Sequence, residues 1–287
     1  MRIIAGRFRS RKLLTPRDAQ TTRPIPDRVK ESIFSILRGN CEGANVLDAF
    51  AGTGAIGLEA LSRGAERVVF VEKDRWAQEM LAKNIEALGV EDEVELVRSD
   101  ALGPAALNRC PAPVDLAFFD PPYPLVLDPQ GWDRVRRQLI RIIPMLSDSG
   151  FLILRTPWPF RHIQMLDQDD QPLPAAERAK YDIWGRRRAG LPPKIPRGLN
   201  GRKTRVGRRP ESDAEDELET AWIGDEIDID AIEKETERLL EVQNLEEPGV
   251  GVKIIRHDVP LELDGAVGPE THPYASMAMH LYMRRKR

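Results

Sequence analysis

From residue 45 onward, short apolar segments alternate with segments of helical periodicity. The apolar segments are NVLDAF (45–50), RVVFVE (67–72), EVELVR (93–98), VDLAFF (114–119) and GFLILR (150–155). Strands that are separated by helices are typical of a parallel sheet covered by helices on both faces. The alternation therefore predicts a doubly wound α/β fold with a mostly parallel sheet.

Composition narrows the class of protein. Of the 287 residues, 41% are hydrophobic, and no stretch approaches the roughly eighteen apolar residues of a membrane span. The basic N-terminal segment lacks the apolar core of a secretory signal. Cys41 and Cys110 stand apart, with no CxxC and no clustered histidines, so neither a disulfide framework nor a metal site is indicated. We expect a cytoplasmic monomer that contacts no membrane.

A glycine-rich loop, AGTGAIG (51–57), lies between the first strand and the following helix. Gly52, Gly54 and Gly57 have the spacing G-x-G-x-x-G, and Glu72 ends the second strand twenty residues after Gly52. Glycines let the backbone approach a ligand, and a carboxylate at this distance can accept both hydroxyls of a ribose. The alternative is a tight strand–helix turn with no ligand.

The acids around this loop indicate which nucleoside it binds. Asp48, just before the loop, would repel a pyrophosphate but could hold a positively charged amino group. S-adenosylmethionine carries such a group together with a ribose and an adenine, and it has no phosphate. Asp100 could accept from the adenine amine, although it could equally be a helix N-cap over ALGPAAL. The acids favour S-adenosylmethionine over NAD.

The fourth strand ends in the tetrapeptide DPPY (120–123). Open α/β sheets bind their ligands at the carboxyl ends of the strands. Asp120 and the carbonyl of Pro121 could accept the two N–H bonds of a planar amine, which would aim the nitrogen lone pair at a methyl group. Pro122 would keep the turn rigid, and Tyr123 offers a face on which a base can stack. The alternative is a polar turn at a strand end.

Charge is strongly segregated although the net charge is only -3. Residues 1–38 hold ten Lys or Arg against three acids, residues 178–209 hold twelve against one, and residues 210–248 hold sixteen acids. Basic segments attract polyanions. The N-terminal segment could bind RNA or be a solvated tail. The second basic segment could tether RNA or ribosomal protein or be a charged linker, and the acidic stretch could shield it.

Several segments together resemble one known family, the RsmD family of bacterial 16S ribosomal RNA guanine-N2 methyltransferases. The resemblance rests on RIIAGRFRSRKL (2–13), TRPIPDRVKESIFSIL (22–37), VLDAFAGTGAIGLEALSRGA (46–65), FVEKD (70–74), FDPPY (119–123) and YASMAMHLYMRR (274–285). It implies a Rossmann-like, S-adenosylmethionine-dependent enzyme that methylates a guanine of 16S rRNA in the small ribosomal subunit. The chain departs from the family by about 110 residues inserted before the last strand, and by Arg155 where an acid is commoner.

The residue patterns and the resemblance together predict three groups of site residues. The catalytic group is Asp120, Pro121, Pro122 and Tyr123. The cofactor-binding group is Asp48, Phe50, Gly52, Thr53, Gly54, Glu72, Lys73, Asp100 and Ala101. The RNA-binding group is Arg7, Arg9, Arg11, Lys12 and Arg23, of which Arg23 lies in a segment expected to cover the active site.

The predicted organisation has four parts. Residues 1–44 form an RNA-binding hairpin and helix, 45–160 the methyltransferase core, 161–272 a partly disordered insertion with an acidic helix near 228–245, and 273–287 a closing strand at the sheet edge. Three other functions remain open: an amino-methyltransferase acting on adenine N6 of DNA or another RNA, a non-catalytic ribosome assembly factor and, as the weakest, a dehydrogenase.

Overall fold

The computed structural model describes residues 1–15, 25–167, 169, 171 and 253–286. The chain divides into two compact units, one made of Met1–Ile163 with Arg256–Arg287 and the other of Gln164–Ile255. The sheet and the candidate site described below belong to the first unit. Arg23 and the predicted acidic helix near 228–245 lie outside the described residues. Within the described ranges, no helix is long and apolar enough to cross a membrane.

In the described part of the chain, helices and strands alternate as far as residue 157, and only strands follow. The helices are α1 (Asp27–Ile36), α2 (Gly57–Ser62), α3 (Arg75–Leu88), α4 (Pro104–Arg109), α5 (Tyr123–Leu127) and α6 (Pro129–Ile142). The strands are β1 (Asn45–Ala49), β2 (Arg67–Glu72), β3 (Val94–Arg98), β4 (Val114–Phe119), β5 (Leu146–Pro157), β6 (Arg161–Leu166), β7 (Lys253–Asp258), β8 (Ala266–Tyr274) and β9 (Met277–Arg284). Two short 3₁₀ helices, Glu91–Glu93 and Ile143–Met145, precede β3 and β5.

Seven of these strands form one sheet in the order β3-β2-β1-β4-β5-β9-β8, and β6 pairs with β7 in a separate two-stranded sheet. The five strands from β3 to β5 are mutually parallel, whereas β9 is antiparallel to both of its neighbours. The predicted doubly wound, mostly parallel fold is confirmed. Because the winding reverses between β1 and β4, the gap between their carboxyl ends is a topological switch point, where such folds bind ligands.

Alternate residues of the central strands face opposite sides of the sheet, and each side has its own core. Val46 and Phe118 belong to the core that contains α1 and α2. Leu47 and Phe119 belong to the core that contains α6. Strands that are buried on both faces are therefore apolar throughout, which is the pattern from which the parallel sheet was predicted.

Capping residues explain where the helices begin and end. Asp74 accepts a hydrogen bond from Ala77 N at the start of α3, and Gly89 ends this helix with a positive φ of 64°. The helix predicted at 131–146 begins at Pro129 and ends at Ile142, where a 3₁₀ turn containing Pro144 follows. A proline cannot donate the hydrogen bond that would continue the helix, so the α-helix ends before Pro144. The following strand, β5, begins at Leu146, which is earlier than predicted.

The strand predicted near the end of the chain exists, but its predicted place at the edge of the sheet is wrong. The strand predicted at 277–283 is β9, but β9 lies inside the sheet, and the edge strand is β8. Since β8 begins at Ala266, the sheet resumes within the range assigned to the insertion, before residue 273. The sequence hides β8 because it contains Gly268 and Pro269 where its pairing with β9 is irregular. A proline is tolerated at the edge of a sheet or at a bulge.

The N-terminal residues form a small antiparallel hairpin that is attached to α2. Arg2 pairs with Lys12, and the side chains of Ile3 and Leu13 are buried in the core. Gly6 has a φ of 82°, and a Cβ at this position would overlap the carbonyl oxygen of Ser62. Only a glycine can therefore place the hairpin this close to the end of α2.

Candidate functional site

The carboxyl ends of the parallel strands bring four charged side chains to one edge of the sheet. Asp48 lies near the end of β1, Glu72 ends β2, Asp120 follows β4, and Arg155 lies near the end of β5. The pairing of Ala49 with Phe119 puts Asp48 and Asp120 on the two sides of the switch point. The predicted location of the DPPY segment at this edge is therefore what the structure shows.

Asp48 is the most deeply buried of these acids. It is 1% exposed, and its Oδ2 accepts a hydrogen bond of 2.8 Å from Gly57 N at the start of α2. Burial raises the pKa of Asp48 to about 7, against the effect of the Gly57 hydrogen bond, and the negative charges of Asp120 and Glu72 raise it further. A cation bound beside this carboxylate would relieve the unfavourable electrostatics.

The three glycines of the loop serve different purposes. A Cβ at Gly52 would meet nothing within 4 Å, so the backbone there is open to an approaching ligand. A Cβ at Gly54 would overlap Leu81, and one at Gly57 would overlap Phe70, so these two glycines allow close packing in the core. Phe50 has a φ of 63°, which is uncommon for a residue with a bulky side chain, so the loop holds it in a strained conformation.

Backbone amides hold the Glu72 carboxylate in one orientation. Its Oε1 accepts from Lys73 N and Asp74 N, both at 2.8 Å, and its Oε2 accepts from Gly52 N at 2.7 Å. The last of these bonds ties the glycine loop to the end of β2. Glu72 is therefore fixed beside the open backbone of Gly52, as the ribose hypothesis requires, although its role there stays a prediction.

The other predicted cofactor residues differ in their surroundings. The Lys73 side chain is exposed, whereas Thr53 and Ala101 are buried. Asp100 is not the helix N-cap offered as its alternative role, because α4 begins at Pro104 and its N-cap is Gly103. The Asp100 Oδ1 instead accepts from Leu102 N at 2.9 Å, in a local turn that follows β3.

Asp120 makes one strong side-chain contact, which the sequence did not reveal. Its Oδ1 accepts a hydrogen bond of 2.5 Å from Nε of Arg155, and its Oδ2 makes no hydrogen bond to any residue in the described part of the chain. Burial raises the pKa of Asp120, and the adjacent Arg155 opposes this rise. The two residues are 35 positions apart, so no local pattern indicates the pair.

The remaining DPPY residues form a rigid turn into a helix. Pro121 is buried, and Pro122 is the N-cap of α5, where its carbonyl accepts from Leu125 N at 2.8 Å. No described residue donates to the carbonyl of Pro121. The guanidinium carbon of Arg155 lies 5.7 Å from the centre of the Tyr123 ring and so covers part of it.

The predicted RNA-binding side chains of the hairpin lie on its surface. Arg9, Arg11 and Lys12 are exposed and make no ion pair with any residue in the described ranges. Arg7 is also exposed, but it pairs with Glu93 and lies 4.6 Å above the ring of Phe8. Three of the four described RNA-binding candidates therefore present unpaired positive charge.

The buried anchor of this hairpin was missed by the sequence analysis. Glu59 and Lys30 are both fully buried, and they form an ion pair of 3.2 Å. Glu59 also accepts from Ile4 N at 2.7 Å and from Ala5 N at 3.0 Å, and Lys30 donates to Arg2 O. Nothing local distinguishes Glu59 from a surface helix residue, so the sequence offered no signal for this contact.

In this sheet a glycine loop follows β1, an acid ends β2, and DPPY follows β4. This arrangement defines a Rossmann-like, S-adenosylmethionine-dependent methyltransferase. A family model described as "Conserved hypothetical protein 95" matches residues 1–160. The chain belongs to this family, and the predicted RsmD membership is confirmed.

Similar proteins and structures agree with this class. The chain is 38% identical to "Ribosomal RNA small subunit methyltransferase D" of Escherichia coli (strain K12), over 53% of this chain and 69% of that protein. It is 34% identical to "Putative rRNA methyltransferase YlbH" of Bacillus subtilis (strain 168), over 53% of this chain and 80% of that protein. A solved structure of the putative methyltransferase yhhF from Escherichia coli superposes with a TM-score of 0.53 at 21% identity, covering 100% of this chain and 99% of that one, and shares the fold.

Proposed function

We propose that this protein transfers a methyl group from S-adenosylmethionine to the exocyclic N2 amine of a guanine in 16S ribosomal RNA. The observation that carries the proposal is a pair of hydrogen-bond acceptors at the switch point, Oδ2 of Asp120 and the carbonyl of Pro121. Neither accepts a hydrogen bond from a described residue. The relatives named as ribosomal RNA methyltransferases support the choice of substrate.

The residues around the glycine loop fit the cofactor. Asp48 offers a buried negative charge for its amino group, Gly52 offers open backbone, and Glu72 offers a fixed carboxylate for its ribose. Asp100 would lie beside the adenine, in the turn after β3. Phe50, Thr53, Gly54, Lys73 and Ala101 would complete the surroundings of the cofactor.

The chemistry follows from how the catalytic residues would hold the amine. When bound, S-adenosylmethionine supplies a methyl group on a positively charged sulfur, which keeps the electron pair of the broken C–S bond. Oδ2 of Asp120 and the carbonyl of Pro121 would each accept one N–H and so direct the nitrogen lone pair at the methyl carbon. Once the N–C bond has formed, Oδ2 of Asp120 can take up the surplus proton. Tyr123 would support the plane of the base.

RNA would approach from the hairpin side. Arg9, Arg11 and Lys12 are exposed cations that can contact phosphates, and Arg7 could exchange Glu93 for a phosphate. Arg23 would cover the active site. The small ribosomal subunit, or a particle that leads to it, is the substrate that best suits a protein that has both a basic hairpin and a site for a splayed-out base.

A methylation assay on three substrates tests the function. Purified protein and labelled cofactor are incubated with small-subunit particles, with protein-free 16S rRNA and with duplex DNA, and the modified base is identified by mass spectrometry. We expect N2-methylguanine in the RNA substrates. Methylated adenine would instead support the adenine N6 alternative. Cofactor binding that is undetectable by calorimetry would support the assembly factor.

The Asp120→Ala variant tests whether the Asp120 carboxylate holds the amine. We expect it to lose turnover while its affinity for S-adenosylmethionine, measured by calorimetry, stays near that of the unmodified protein. Asp148→Ala is the matched control, since it also breaks an aspartate–arginine pair. Asp148 pairs with Arg284 and lies near the start of β5, away from the carboxyl ends of the strands. Activity of Asp120→Ala within a few-fold of the unmodified protein would contradict this role of Asp120.

A further inference from the structure

We propose that Arg155 is a positioning residue for methyl transfer: it holds Asp120 through Oδ1 and so directs Oδ2 toward the amine of the substrate. This inference rests on the proposed function and assigns a role to a residue outside the predicted catalytic group.

The sheet itself places the two side chains together. Phe119 of β4 pairs with Leu154 of β5, so the residues that follow these two, Asp120 and Arg155, are neighbours at the carboxyl ends of the strands. Their side chains are 19% and 10% exposed, and the Nε–Oδ1 distance is 2.5 Å. A charge-assisted hydrogen bond that is largely shielded from water holds its partners more firmly than a surface ion pair. Rotation of the Asp120 carboxylate would break this bond.

The same guanidinium also contacts a second residue of the catalytic group. It lies over the ring of Tyr123, 5.7 Å from the ring centre. Arginine is suited to this double contact, because its planar group can donate along its edge and pack with its face at the same time. One side chain from β5 therefore fixes the residues that begin and end the DPPY segment.

The end of β5 is itself held rigidly. Thr156, the residue after Arg155, is fully buried, and its hydroxyl donates to Pro157 O at 3.0 Å. The same hydroxyl lies 2.8 Å from Nε2 of His280 on β9, whose Nδ1 lies 2.9 Å from the hydroxyl of Thr271 on β8. This network fixes the backbone from which Arg155 extends.

Arg155 also balances the charges that face Asp120. Asp48 approaches from β1 with a negative charge, Tyr123 contributes its phenol ring from α5, and Arg155 from β5 contributes the positive charge. Burial raises the pKa of Asp120 and so favours its protonated form, which would be a poorer acceptor for an N–H. Arg155 favours the ionised form, which accepts through both oxygens.

Two substitutions separate the charge of Arg155 from its geometry. Arg155→Met removes both, so we expect kcat to fall about tenfold or more, since small misplacements of reacting groups cost this much. Because the pKa of Asp120 should rise further without the arginine, the acidic limb of the kcat profile should move to higher pH. Arg155→Lys keeps the charge, so its acidic limb should stay close to that of the unmodified protein while kcat is still reduced.

The control is Arg284→Met, which removes an arginine that pairs with Asp148 away from the DPPY segment. It should leave kcat and the pH profile unchanged. A readout without turnover is the ¹³C resonance of the Asp120 carboxyl, assigned by comparison with the spectrum of Asp120→Asn. Its titration midpoint should lie at higher pH in Arg155→Met than in the unmodified protein.

The outcomes distinguish this inference from the proposed function. If the unmodified protein methylates RNA but Arg155→Met keeps its kcat and pH profile, the positioning role is overturned and the function stands. A loss of activity that is equal at all pH values, with no change in the Asp120 titration, would show a merely structural role and also overturn it. If the unmodified protein transfers no methyl group to any RNA, both proposals fall. Should Arg155→Met not fold, Arg155→Lys decides through its kcat, which must fall for the inference to survive.

Discussion

At the scale of single residues, the site concentrates negative charge where water is scarce. Asp48 and Asp120 lie on the two sides of the switch point, and burial raises the pKa of both. Such an arrangement does not favour stability, because each carboxylate loses solvation on folding. It is expected where a cationic ligand must bind, and S-adenosylmethionine carries positive charge on both its sulfur and its amino group.

The pH dependence of stability tests the state of Asp48. Its pKa of about 7 exceeds the value near 4 of an unfolded aspartate, so between these values the folded state binds the proton more tightly. The free energy of unfolding should therefore fall as pH rises from about 4 to 7, by at most about 4 kcal/mol from this residue. Asp48→Asn should flatten that dependence.

The measurement is urea denaturation without cofactor at several pH values across this window. Asp148→Asn, which removes an exposed carboxylate elsewhere, controls for the change in net charge. If the free energy of unfolding of Asp48→Asn changes with pH as steeply as that of the unmodified protein, the raised pKa of Asp48 is contradicted. The same variant should bind S-adenosylmethionine more weakly, because it lacks the charge that pairs with the amino group.

At the scale of elements, the N-terminal hairpin behaves as part of the core rather than as a tail. Phe8 N donates to the Ser62 hydroxyl at 3.0 Å, and Ser62 donates to Ala5 O at 2.6 Å, so the hairpin satisfies polar groups at the end of α2. Glu59 in the same helix binds the hairpin backbone and Lys30 of α1. Three elements thus meet at one buried carboxylate.

Removing this carboxylate should loosen the hairpin. Glu59→Gln leaves the fully buried Lys30 without its charged partner, and breaking such a pair costs about 3–5 kcal/mol. We expect a lower free energy of unfolding in chemical denaturation and faster hydrogen exchange at the amides of Ile4 and Ala5. Lys30→Met combined with Glu59→Gln should be less destabilising than the sum of the two single changes. Additive effects would show that the two charges do not depend on each other.

At the scale of the whole molecule, the net charge of -3 says little about RNA binding, because the charges are separated along the chain. The hairpin presents exposed cations near one end of the sequence. The second basic segment and the acidic segment, at 178–209 and 210–248, lie outside the described residues, so the predicted tether and shield stay predictions. The hairpin is the part whose contribution to RNA binding can be tested against a defined structure.

Salt dependence measures that contribution. Arg9→Ala combined with Arg11→Ala should weaken RNA binding and reduce the slope of log affinity against log salt by about 1 to 2, since each lost phosphate contact removes nearly one released counterion. The control is Arg67→Ala combined with Arg109→Ala, which removes two arginines that pair with Glu95 on β3. Equal slopes for the two double variants would argue against a specific role for the hairpin.

The sequence by itself determined those features that depend on local patterns. Apolar strands alternating with helices predicted the parallel sheet, and strands that run parallel bring their carboxyl ends to one edge. The positions of Asp48, Glu72 and Asp120 at that edge therefore followed without coordinates. Glycine spacing located the loop, although it could not show that only Gly52 is open to a ligand.

Only the tertiary structure decided the contacts between distant positions. The pairs Arg155–Asp120 and Lys30–Glu59, and the placement of β9 inside the sheet with β8 at its edge, join segments whose separation carries no periodic signal. Burial of a charge depends on everything packed around it, so the raised pKa of Asp48 and the anchoring of the hairpin could not be predicted from neighbours in the chain. Local chemistry positioned the acids, and packing determined which of them are paired and which remain available to a substrate.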